Sequence, residues 1–479
     1  MIDAGDPVRW RRLAAAAAVA VVILSSCAGS DVKAEQPLPA QSLQTIVTTA
    51  DVNLGTPVAR AAILRKPATD ANGNAHVGIV VMHPYSSYIN FRGCSDLAAR
   101  GFTTLCVDSS FTDNQYAYYG YEQHVPAIKA AITYLRAQTG ITKVILFGHS
   151  MGGPMMAFYQ NVAENGTGVC TGPEKLIPCV TTSLSALPVA DGMILFDSHL
   201  GGGLATLTYV DPAVINNTYG QRDASLDMFS AANGYDLTTN GATYTAAFRQ
   251  KYFAAQAARV AQLNTLALSL LAQKRAATND PTQMGDDIPF QVVGATSARL
   301  FQPDLELMQC TQKPQTMLSH DGTRPKQVIC SVRPPSGAAN EGLSARATLN
   351  ATVHAWLGAL SMRTSGTYAQ TKDDLTGIDY SSTATTSVGN ITGVTKPFLL
   401  VANGGHYFLR PDELLFDTAK MADKTFAITE GAVHGGTECT ACETQRGLAA
   451  PASPTTFGYF GDTFTRTMDY MGEWLRRRY

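Results

Sequence analysis

The chain has 479 residues, with 36 Lys and Arg against 38 Asp and Glu, a formal net charge of −2 and only 15% charged residues. That balance excludes a nucleic-acid binder, which would carry a basic stripe, and a disordered acidic tail. The length allows a large core and exceeds one ordinary catalytic domain, so an accessory lobe is expected.

Residues 1–26 read as a signal peptide, because Arg9, Arg11 and Arg12 precede an apolar run over 13–24 that is too short for a comfortable membrane span. The run ends in Leu24-Ser25-Ser26-Cys27, which resembles a bacterial lipobox. That resemblance implies cleavage before Cys27, lipidation of its thiol and a membrane anchor; the alternative is a soluble secreted protein. The expected location is periplasmic or on the cell surface. Residues 27–44 then form a polar tether.

Export makes the cysteines informative, since an oxidising compartment lets disulfides persist. Setting Cys27 aside leaves eight of the nine, and eight allow about 105 pairings. Nearest-neighbour pairing joins Cys94 with Cys106, Cys170 with Cys179, Cys310 with Cys330, and Cys439 with Cys442.

Residues 45–200 carry the first part of the core. The stretch 45–65 alternates like paired antiparallel strands, and 76–83 is a near-continuous β-branched run, as expected of a strand buried on both faces. A short helix over 95–100, a strand over 102–107 and an amphipathic helix over 122–138 follow. The apolar run 143–147 then leads into Gly148-His149-Ser150-Met151-Gly152. Between a strand and a helix this pattern sets Ser150 on a sharp turn and leaves the Met151 N–H at a helix start, where developing negative charge would be stabilised. Another strand over 191–196 ends in Asp197.

From residue 201 to 395 the strand pattern stops. Two amphipathic helical stretches are expected there, 244–275 and 343–362, with Cys310 and Cys330 stapling the irregular middle. Strand character returns at 396–402, a helix begins near Asp412, a last strand covers 424–430, and an amphipathic helix over 464–478 closes the chain.

Through the strand, Gly-x-Ser-x-Gly and helix sequence, the chain resembles the α/β-hydrolase superfamily over most of its length beyond the first few dozen residues. The resemblance implies an α/β fold with a mostly parallel, doubly wound sheet, divided into core over 45–200, a large, mainly helical cap insertion over 201–395, and core again over 396–479. It also implies a serine hydrolase with Ser150 as nucleophile and His434, in the glycine-containing loop after the last strand, as base. The superfamily's usual acid position, the loop after the penultimate strand, reads Gly404-Gly405-His406-Tyr407-Phe408 and has no carboxylate. Asp197, at the tip of the preceding strand, is the preferred acid and Glu413 the alternative. Met151 N–H and Tyr85 N–H are the expected oxyanion donors, since Pro84 has no N–H to give.

Cys439-x-x-Cys442 beside His434 also invites a metal reading, but export favours a disulfide, and no metal or other cofactor is expected. The expected substrates are small to medium apolar carboxylic esters. Lactone, amide or carbon–carbon hydrolysis would use the same residues, and a non-catalytic surface-binding lipoprotein is the alternative from another class. Oligomeric state is not legible.

Overall fold

The computed structural model describes residues 36–479 apart from 56, 113–119, 296–298, 337–347 and 454. Cys27, the signal peptide, the first part of the tether and residues 343–347 of the second expected cap helix therefore lie outside the described residues.

Ten strands form the central sheet. The first six are β1 (Ile46–Thr49), β2 (Ala59–Pro67), β3 (Val77–Val81), β4 (Thr103–Ser109), β5 (Lys143–His149) and β6 (Gly192–Phe196). Eight further strands of the insertion and two of the second core segment follow: β7 (Tyr235–Asp236), β8 (Gly241–Ala242), β9 (Pro289–Val293), β10 (Gln315–Leu318), β11 (Lys326–Gln327), β12 (Thr348–Thr352), β13 (Arg363–Gln370), β14 (Leu375–Asp379), β15 (Phe398–Asn403) and β16 (Lys424–Thr429). The sheet order is β1-β2-β4-β3-β5-β6-β15-β16-β10-β11. From β4 to β10 every neighbour is parallel, while β1, β2 and β11 pair antiparallel at the two edges.

The central strands read as unbroken apolar runs because both faces are covered. In β5, Val144 and Leu146 point into one core while Ile145 and Phe147 point into the other. Helices α1 (Arg92–Ala99), α2 (Val125–Ala137) and α3 (Gly152–Asn165) connect the first strands. The second core packs α1 and the C-terminal helix Thr463–Arg476 through Leu97, Phe464, Met468 and Trp474. All four expected cysteine couples are joined: Cys94–Cys106, Cys170–Cys179, Cys310–Cys330 and Cys439–Cys442.

Two expectations for residues 201–395 need correction. The boundary is not clean, because β10 adds to the sheet beside β16 and β11 pairs with β10, so 315–327 belongs to the core sheet. The second expected helix is also divided. Residues 348–352 form β12 against β9, with Leu349 opposite Val292 and Ala351 opposite Phe290, and only from Val353 does the chain turn helical. Alternating Thr348, Asn350 and Thr352 suit a strand, while the helical spacing of Leu349, Val353, Trp356 and Leu360 fits either reading. The first expected helix is present as Ala246–Thr278, capped by Thr245, whose hydroxyl accepts from Phe248 N–H at 3.1 Å.

Candidate active site

Ser150 lies between the end of β5 and the start of α3, at φ 55°. A side chain other than glycine seldom takes this conformation, so the turn holds strain and the surrounding packing must enforce it. Glycine is needed on both sides. A Cβ at Gly148 would lie 2.4 Å from Gly152 O, and one at Gly152 would lie 2.7 Å from Met82 O. The turn is fastened to the next strand: Ser150 N–H donates to Phe196 O at 3.1 Å, and Ser150 O accepts from His199 N–H at 3.0 Å.

Just past β6, Asp197 also has a positive φ, 42°. Its N–H donates to Val401 O at 2.6 Å, and its Oδ1 accepts from Asn403 N–H at 3.1 Å. The remaining oxygen, Oδ2, accepts from His434 Nδ1 at 2.6 Å. With that proton on Nδ1, Nε2 is left as the acceptor facing Ser150 Oγ, 2.8 Å away. The three residues that the sequence pointed to are thus linked in one chain of hydrogen bonds. Burial alone would raise the Asp197 carboxyl, but the His406 and His434 rings against it hold it below the usual carboxylate range.

Glu413 lies elsewhere. Fully buried in the helix Leu409–Thr418, it accepts from Gln312 N–H, Lys313 N–H, Gln315 Nε2 and Arg410 Nη1 at 2.6 to 2.9 Å. It therefore ties that helix to the approach of β10 and has no contact with His434. The helix expected to begin near Asp412 starts three residues earlier, with Phe408 at its N-cap and Asp412 in its first turn. Burial, and after it the nearby Asp197 charge, push the Asp412 carboxyl well above its ordinary value.

Several positioning residues escaped the sequence reading. His149, the variable residue before Ser150, donates from Nε2 to the backbone carbonyl of His434 at 2.7 Å, while its Nδ1 accepts from the Tyr88 hydroxyl. Burial keeps its ring neutral, with its pKa pushed down to about 3, the His434 ring adding to the effect. Asn403 Nδ2 donates to Val433 O at 2.7 Å in the same loop. His406 Nδ1 comes within 2.8 Å of Asp197 Oδ2, off the line of a hydrogen bond. No sequence motif marks these partners, because they come from separate strand ends. The Cys439–Cys442 disulfide sits at the end of the His434 loop, where Cys439 N–H closes onto Gly431 O at 2.8 Å.

Of the two expected oxyanion donors, Met151 is at the N-cap of α3 and lines the cavity beside Ser150. Tyr85 requires correction as a backbone donor. Its N–H and that of Ser86 both donate to His83 Nδ1, at 3.1 and 2.9 Å. Burial, and after it the His149 and His434 rings, lower the His83 pKa and keep Nδ1 an acceptor, so the loop turns the Tyr85 amide inward. The Tyr85 side chain reaches the cavity wall instead.

That cavity holds about 330 Å³ and opens over Ser150 and His434. Its core side comes from Tyr85, Met151, Tyr407 and Phe408, and its roof from the insertion, including Leu349 and Leu360. One ligand atom each from Asp197, His406 and His434 lie within 4.8 Å of one another, a set that could hold a metal ion. A metal there would take the carboxylate that orients His434, so the two arrangements exclude each other.

Residues 76–199, from the start of β3 through the Ser150 turn to just beyond Asp197, match the family model described as alpha/beta hydrolase fold. The chain has an α/β-hydrolase fold. The solved structures it is similar to include esterase B from Lactobacillus rhamnosis, at 12% identity and a TM-score of 0.27 over 35% of this chain and 52% of that one. They also include the monoacylglycerol lipase of Paleococcus ferrophilus, at 12% identity and a TM-score of 0.34 over 83% and 94% of the two chains. A third is carboxyl esterase 2 from the fungus Tuber melanosporum, at 10% identity and a TM-score of 0.36 over 92% and 87%. The chain spans about half the length of the Lactobacillus esterase. A search of curated proteins found no match. Asp197 stands after β6 and His434 after β16, the two strands that flank β15.

Proposed function

We propose that this chain is a serine hydrolase of carboxylic esters that acts through an acyl-enzyme. The observation that carries this reading is the continuous relay from Asp197 Oδ2 through His434 to Ser150 Oγ, at 2.6 and 2.8 Å, on a strained turn that exposes the hydroxyl to a cavity. Ser150 Oγ attacks the ester carbonyl while His434 Nε2 takes its proton. The Met151 N–H, at a helix start, is placed to receive the oxyanion. The cation formed on His434 faces the Asp197 carboxylate, and its proton passes to the leaving alcohol. Water, activated by the same nitrogen, then releases the acid. Apolar walls such as Leu349, Leu360 and Phe408 suit an acyl or alcohol chain of modest size. Four disulfides suit an exported protein, and a lipid anchor at Cys27 would hold it at a membrane.

A fluorophosphonate probe and a short p-nitrophenyl ester test this reading together. Wild type is expected to label stoichiometrically and to turn over, and Ser150→Ala to do neither at an unchanged melting temperature, with turnover down on the order of 10⁴-fold or more. Near-native turnover by a folded Ser150→Ala protein would refute the assignment.

A further inference from the structure

One wall of the cavity over Ser150 carries a charge that no described residue balances. Arg299 is 8% exposed and lines the same cavity as Ser150 and His434. Among the described residues it forms no ion pair. Of its five side-chain N–H donors, one is used, by Nη1 toward the Tyr407 hydroxyl. The guanidinium otherwise stacks over the Tyr209 ring, 4.0 Å from its centroid.

Most other buried or half-buried arginines among the described residues are treated differently. Arg222 meets Asp211 at 2.6 Å, Arg249 meets Asp304 at 2.7 Å, and Arg410 meets Glu413 at 2.8 Å. Where no carboxylate is present, backbone carbonyls take its place: Arg259 donates to Asp211 O and Val293 O, and Arg333 to Gln302 O and Leu307 O. A buried cation left without an anion is costly unless a ligand completes it.

A second donor stands beside it. His199 Nδ1 accepts from Gly201 N–H at 3.1 Å, which leaves the proton on Nε2, and His199 lines the cavity with Arg299. An adjoining recess shares His199, Arg299, Tyr407 and Phe408 with the main cavity. Among the described residues no Asp or Glu lines either space. A planar guanidinium with free N–H groups is shaped for bidentate capture of a carboxylate.

We propose that Arg299, with His199 beside it, is the docking site for a carboxylate on the substrate, so that the ester cleaved at Ser150 is the half-ester of a dicarboxylic acid or a similar anionic ester. This refines the ester-hydrolase reading above and rests on it. The apolar walls between Arg299 and Ser150 then receive the chain that separates the carboxylate from the scissile bond.

The test compares monomethyl adipate, an anion, with neutral dimethyl adipate. Their binding to the Ser150→Ala protein is measured by calorimetry at pH 7.5, in parallel with wild-type kcat/KM for the two. The monoanion is expected to bind about 10- to 100-fold more tightly, with the advantage shrinking in 0.5 M salt. Arg299→Met should bring the ratio to about one, and Arg299→Lys should restore part of it. Equal or tighter binding of the diester to the Arg299 protein overturns the proposal, and this comparison needs no Arg299 variant to fold. A folded Arg299→Met protein that keeps the ratio also overturns it. If the monoanion binds preferentially while wild type turns over neither these esters nor the p-nitrophenyl ester, the ester-hydrolase reading fails and the carboxylate site stands.

Discussion

The two carboxylates that compete for the acid role are both fully buried but face different partners, and their amide variants should separate chemistry from stability. Asp197→Asn keeps the shape of the side chain but removes the charge that faces His434 Nδ1 at 2.6 Å. His434 then loses both the tautomer that points Nε2 at Ser150 and the anion that supports its cation, a change worth on the order of 10⁴-fold in the best-studied triad. Glu413→Gln removes a buried charge that receives four donors, one of them Arg410. Breaking a buried pair of this kind costs about 3 to 5 kcal/mol. With an unfolding entropy of about 2 cal/mol/K per residue, a chain of this size loses roughly 1 °C per kcal/mol, so the melting temperature should fall by about 3 to 5 °C. Initial rates on a p-nitrophenyl ester and thermal melts of both variants read the two effects. The expected pattern is an inactive Asp197→Asn of near-native melting temperature and an active, less stable Glu413→Gln. An active, folded Asp197→Asn, or a Glu413→Gln that loses turnover without losing stability, would show that the relay has been assigned to the wrong carboxylate.

Acid should destabilise the fold from about pH 6.5 downward, because burial lowers the pKa of His124 and His149 to about 3 and that of His406 to about 4. The unfolded chain binds these protons first, so the stability is fully present above the ordinary histidine value and is lost as pH falls toward the lowered ones. Melts from pH 8 to pH 4 should show the loss, and His124→Gln should flatten it; a level profile in wild type would contradict the burial argument. Replacing Cys439 and Cys442 together with alanine should lower kcat while leaving the melting temperature nearly unchanged. The bond closes a very short loop and so restrains the unfolded chain little, yet it sits at the end of the segment that carries His434. A large drop in melting temperature with kcat intact would reverse that reading.

What could be read in the sequence was what local pattern and chain order control. The central strands announce themselves because both faces are buried, and the glycines around Ser150 are forced by contacts of 2.4 and 2.7 Å that any side chain would violate. Asp197 and His434 are singled out by the resemblance to the α/β-hydrolase superfamily, which marks their places after strands. The supports were hidden. His149, Asn403 and His406 act across 30 or more residues through ring nitrogens, amides and backbone carbonyls, and such contacts leave no periodic trace. The Tyr85 amide differs from expectation because nothing in His83-Pro84-Tyr85 shows that the His83 ring bends back to accept it. β10 leaves no sequence signal because Gln315–Leu318 is four residues long and has no β-branched run, gaining strand character only by lying against β16.

The excursion around β10 and β11 changes how the insertion can move and how it can be trimmed. It leaves and rejoins the insertion through a neck where Cys310 is bonded to Cys330 and Thr311 N–H meets Ile329 O at 2.9 Å. Glu413 grips its outgoing arm through Gln312 and Lys313. The roof over Ser150 is therefore sewn to the body along a third seam as well as at its two ends, so it cannot swing aside as one door. A shortened protein made by excising 201–395 in one cut would strip two strands from the sheet and leave β16 as a raw edge, open to pairing with another chain. A soluble minimal version would need two smaller cuts that spare the looped cassette from Cys310 to Cys330.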